Sequence, residues 1–86
     1  MNLYKISQSR NNNWDTYDSA VVVAETAEEA RKIVPDFEND GHGEYDNLRD
    51  WVEPKYVKIE LIGTASDEYV EKLQGRLIVV SSYNAG

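Results

Sequence analysis

Residues 15–31, Asp-Thr-Tyr-Asp-Ser-Ala-Val-Val-Val-Ala-Glu-Thr-Ala-Glu-Glu-Ala-Arg, run from a strand directly into a capped helix, and this junction constrains the fold more than any other stretch. Positions 19–24 are short, apolar and rich in β-branched valine, the composition of a strand. Thr26 then opens a Thr-x-x-Glu capping box with Glu29, in which each side chain can take up a backbone donor left free at a helix start. Ala27, Ala30, Ile33 and Val34 follow at helical spacing. Pro35 ends the pattern, because proline lacks the amide hydrogen a helix interior needs. A strand and the helix that covers it are expected here, and no residue of the run suggests a catalyst.

The remaining elements follow from simpler patterns. Positions 3–7 read as an opening strand, and 10–15, with Asn11, Asn12 and Asn13 in a row, as the turn that returns the chain in a hairpin. Positions 56–62 alternate, with Val57, Ile59 and Leu61 on one face and Tyr56, Lys58 and Glu60 on the other, as in a strand half covered by a core. Ser66 is placed to cap a short helix through Leu73, with Asp67 and Glu68 in its first turn, Lys72 in its last and Gly75 at its end. Tyr69, Val70 and Leu73 form its apolar side. Leu77, Ile78, Val79 and Val80 are consecutive, so the last strand, over 76–83, is expected centrally or at an interface; at an open edge such a run invites aggregation.

These elements predict an α+β fold: a mainly antiparallel sheet of about four strands packed on one principal helix, with a short second helix and an acidic loop. Val22, Ile33, Ile59 and Val79 are expected in one core. The link between Ile62 and Arg76 is near the lower limit of roughly 10–12 residues for a parallel crossover, which leaves open whether the last two strands run parallel or antiparallel. With 86 residues, the chain forms a single domain over 1–86.

Composition narrows the function classes. Cysteine is absent, which removes disulfides, thiolate metal sites and cysteine nucleophiles together. The opening Met-Asn-Leu-Tyr-Lys-Ile-Ser lacks the apolar stretch of a signal peptide, and no segment approaches the roughly 18 apolar residues of a membrane span. A soluble intracellular protein is expected. Sixteen acidic against nine basic residues give a formal net charge of −7, which disfavours direct contact with nucleic acid or an anionic membrane and favours a basic protein partner. The plainer reading is that acidity serves solubility alone.

The charge is unevenly placed. Asp36, Glu38, Asp40, Glu44, Asp46, Asp50 and Glu53 fall within 36–53, with Arg49 their only firm counter-charge. Gly41, Gly43 and Pro54 mark the stretch as a surface loop, while Leu48, Trp51 and Val52 are spaced to dock it on the core. Asp36-Phe-Glu38-Asn-Asp40-Gly41 matches the start of a calcium loop of the EF-hand type. Its twelfth position is Asn47 instead of the bidentate glutamate, and Pro35 cuts the helix upstream, so no metal is expected. His42, the single histidine, lies between two glycines, a poor setting for holding hydrogen-bond geometry. Carboxylate pairs abound without an evident cleft, and neither a phosphate loop nor any other cofactor signature is present. The chain does not read as an enzyme.

Aromatic surface interleaves with negative charge: Trp14 and Tyr17 flank Asp15, Asp18 follows, and Tyr45 and Trp51 lie in the acidic stretch. Such residues suit an interface centre, with carboxylates steering a basic partner, and they equally suit the cover of a small core, Trp51 above all. Ile6-Ser7-Gln8, positions 15–25 and the terminal Ser81-Ser82-Tyr83-Asn84-Ala85-Gly86 resemble a group of short proteins encoded by tailed bacteriophages and prophages. The resemblance covers both ends of the chain. It implies a phage origin and the cytoplasm of the bacterial host, and no catalytic or binding residue comes with it. Small acidic phage proteins of this kind often act on host proteins, which by analogy implies an anti-defence protein, an anti-CRISPR or anti-restriction inhibitor. Its partner surface is expected at Trp14, Tyr17, Asp36, Glu38, Asp40, Glu44, Asp46 and Asp50, facing a basic, nucleic-acid-binding defence complex. The alternatives are a phage structural or accessory protein that self-associates through a strand edge, and a small ligand-binding module.

Overall fold

A computed structural model describes residues 1–10, 16–35, 41 and 51–84 of the chain. Four strands, β1 (Asn2–Ser7), β2 (Thr16–Ala24), β3 (Lys58–Thr64) and β4 (Ile78–Asn84), form one sheet in the order β3-β1-β2-β4. Every neighbouring pair is antiparallel. The hairpin expected at the start of the chain is the centre of the sheet, with Tyr4 opposite Val22 and Ile6 opposite Ala20. The last two strands do not pair at all: they lie at opposite edges.

Alternation along the two central strands creates two apolar faces. Tyr4, Ile6, Ala20, Val22 and Ala24 face a first core completed by Ala30, Ile33, Val34, Trp51, Val52, Val57 and Ile78. Leu3 and Val23, one residue out of phase, face a second and smaller core with Ala65, Val70, Leu73 and Val79. Val22, Ile33 and Ile59 thus share a core as expected, whereas Val79 belongs to the other face. The reason is a bulge: the register of β4 against β2 shifts between Val21 and Val22, which leaves Val79 as the extra residue and gives Ile78 the place opposite Val22.

Helix α1 (Ala27–Arg31) covers the first face, and helix α2 (Asp67–Leu73) covers part of the second. The fold is α+β, with the helix announced by the capping box ending earlier than its apolar spacing suggests. Ile33 and Val34 are β-branched, and Val34 precedes a proline that disfavours helical backbone; both are buried beyond the end of the helix. Thr26 caps as expected, accepting from the Glu29 amide at 3.2 Å, while the Glu29 carboxylate takes the amide of Glu25 instead of that of Thr26. Ser66 caps α2 through the Tyr69 amide at 3.1 Å. Gln74, with Gly75 after it, adopts the left-handed conformation that ends α2, at φ 54° and 85°.

Four further expectations change. Tyr56 belongs to a 3-10 turn, Pro54–Tyr56, ahead of β3. Leu61 is 62% exposed although Val57 is buried and Ile59 half-buried on the same face, because β3 is an edge strand and the cover over the first core does not reach that far. Tyr69 is exposed, so α2 docks through Val70 and Leu73 alone. The strand over 78–84 is an edge strand and not a central one, because β2 offers the only free side of the central hairpin once β3 has paired with β1.

Candidate functional site

Of the residues expected to meet a partner, only Tyr17 falls among those described; Trp14, Asp36, Glu38, Asp40, Glu44, Asp46 and Asp50 lie outside them, as does most of the run likened to a calcium loop. What the structure provides is the frame on which those residues are mounted.

At one end of the sheet, buried Gln8 ties the two central strands together beyond Ser7. Its amide donates to the Asp18 carbonyl at 3.1 Å and its side-chain Nε2 to the Tyr17 carbonyl at 2.9 Å. Tyr17 is half-buried against the first core, with its ring edge-on to Tyr83, centroids 4.8 Å apart. Much of its surface is therefore already engaged. Asp18 sits where the register of β2 against β4 shifts, and its side chain is exposed. The Arg10 guanidinium lies 4.0 Å from the centroid of the Tyr56 ring, which also has the Lys55 ammonium at 5.1 Å. This cationic pair beside the hairpin was not legible in the sequence, since it joins residues 46 positions apart.

The acidic segment is mounted differently. It leaves the described frame at Pro35, touches it again at Gly41 and rejoins it at Trp51, and all three residues are buried. Trp51, 2% exposed, is the pin that its spacing suggested. Gly41 is an anchor of another kind: its φ is +88°, and a Cβ there would come to 2.9 Å from Leu77 Cβ and 3.3 Å from both Ile33 and Ile78. Only glycine meets both conditions without displacement. Arg31 holds the returning chain, donating from Nη1 to the carbonyls of Pro54 and Val57, each at 3.2 Å, with Glu28 3.7 Å from its Nε. Neither role carries a sequence signal, because two glycines flank His42 and either could have been the docked one.

Charge separates along the same division. Residues 36–50 hold six carboxylates and one arginine, five of the net seven negative charges, while the described frame is close to balanced. Among the described residues no group of three or more acidic or histidine side chains is placed to hold a metal ion, and no helix is long and apolar enough to cross a membrane. The geometry defines a class: a small antiparallel sheet with a helix on each face, carrying an acidic segment pinned at three points. Comparison with protein-family models, curated proteins and solved structures gives no match.

Proposed function

We propose that the chain is a phage-encoded anti-defence protein, an inhibitor of a CRISPR complex or a restriction nuclease, that binds a basic, nucleic-acid-binding protein stoichiometrically in the host cytoplasm. The observation that supports this reading is the segregation of charge onto a segment tied to the core at Pro35, Gly41 and Trp51. Carboxylates held on a fixed frame can occupy positions that a basic groove reserves for phosphates, at a smaller entropic cost than the same charges on a free tail. Asp36, Glu38, Asp40, Glu44, Asp46 and Asp50 would form the contact, with Trp14 and Tyr17 contributing aromatic surface at the hairpin end. No catalytic step is required.

The test is nuclease protection against purified CRISPR and restriction enzymes, comparing the wild type with a variant in which Asp36, Glu38, Asp40 and Glu44 become the corresponding amides. The wild type should protect at a one-to-one ratio and lose protection as salt rises; the variant should associate more slowly and protect less. Equal protection by both removes the acidic segment as the contact. Failure of the wild type against every target removes the inhibitor reading.

A further inference from the structure

The two edges of the sheet are built on different rules. Between its bulge and its end, β3 offers a regular run of Lys58, Ile59, Glu60 and Leu61, half of it charged, and the bulge at Ile62 breaks the ladder beyond. These are the usual protections of an open edge. β4 also carries a bulge, at Val79, and a second shift, with Asp18 of β2 as the extra residue, falls opposite Ser82 and Tyr83. What separates the two edges is charge, since β4 from Val80 to Asn84 holds no charge and no proline, and the sequence stays uncharged from Leu77 to Gly86 in a chain that is 29% charged. Val80 and Tyr83, 55% and 47% exposed, stand on it. Among the described residues no strand pairs with its outer side.

We propose that β4 is a self-association edge, at which two copies of this chain pair antiparallel to make one continuous eight-stranded sheet. Charge selects this occupant. Two copies each carrying −7 repel one another over most of their surface, and the uncharged β4 edge lets two chains meet without opposing like charges. Geometry selects the arrangement. Antiparallel pairing of identical strands is two-fold and closes at the dimer, whereas β3 on β4 would propagate without end. Centring the two-fold on the midpoint of 80–84 puts Ser82 opposite Ser82 and Ser81 opposite Tyr83. The concavity of about 140 Å³ between Lys5, Val21, Val80 and Ser82 then adjoins its equivalent in the second copy. This inference differs from the acidic-segment reading: it places no residue of 36–50 in the contact and uses their charge only through the net −7.

Sedimentation velocity of the full chain tests it. A dimer should grow with concentration and should grow further with added salt, which screens the repulsion between copies; binding of a basic partner would show the opposite salt dependence. Ser82→Lys, at an exposed position, should keep the circular dichroism of the wild type and weaken the dimer several-fold by setting two cations face to face. Because the chain has no cysteine, Ser82→Cys gives a clean second probe: under mild oxidation it should form a disulfide-linked dimer faster than Lys72→Cys, on the exposed side of α2. A monomer at every concentration and salt, or equal cross-linking by the two cysteine variants, overturns the proposal.

Discussion

The strands β3 and β4 occupy equivalent places at the two ends of one sheet, yet the chain reaches them by different means. The segment entering β3 is held by a polar clamp, Arg31 on the carbonyls of Pro54 and Val57, and the open side of the strand carries charge at Lys58 and Glu60. Entry to β4 is held by close apolar contact, Gly41 against Leu77 and Ile78, and its open side carries no charge. The two open edges therefore differ in charge, one half charged over its regular run and the other uncharged.

The comparison can be broken at its centre first. Ile6→Ala removes a side chain with no exposure between both edges and should cost about 2–5 kcal/mol in urea unfolding. Leu61→Ala on the exposed part of β3 should stay within about 0.5 kcal/mol. Similar losses for both would mean that the phase assigned to β3 is wrong.

The two ties come next. Gly41→Ala should cost about 1–3 kcal/mol, through the positive φ and the displacement of Leu77, and amide exchange should quicken first at the start of β4. Arg31→Met keeps the aliphatic stem and removes the two hydrogen bonds; a cost of about 1–2 kcal/mol is expected, with faster exchange around Val57 and little change in β4. If either variant loosened both edges alike, the separate anchoring of the two strands would be refuted. The smallest effect is expected from the fourfold amide variant at Asp36, Glu38, Asp40 and Glu44. Its melting temperature should stay close to that of the wild type, since surface charges contribute little to folding, and a large shift would place these carboxylates in the fold's own contacts.

Local signals proved readable where a short stretch carries its own reason for its conformation. Thr26 and Ser66 cap the helices that their spacing implied, the asparagine-rich stretch joins two paired strands, and Trp51 is buried among apolar neighbours. Misreadings arose where a side chain's surroundings depend on distant chain. Leu61 and Tyr69 have the right residue type for a core and the right phase, and remain exposed because no element among the described residues lies over them. The acidic segment was legible only as composition: a run of carboxylates shows its charge without showing where that charge points.

The sequence by itself determined the kinds of element and their order, since β-branched runs, caps, prolines and glycines act over a few residues through backbone sterics and local hydrogen bonds. It also determined that negative charge gathers between Asp36 and Asp50 and is missing after Arg76. Tertiary structure alone decided which strands lie at the edges, that β3 and β4 never meet, that the two helices take opposite faces, and that Gly41 and Arg31 hold the acidic segment's frame. Those outcomes follow from which apolar faces can be buried together. Burial is a property of the assembled sheet, in which a bulge at Val79 or one more strand beside β2 changes a residue's environment without changing its neighbours in the chain.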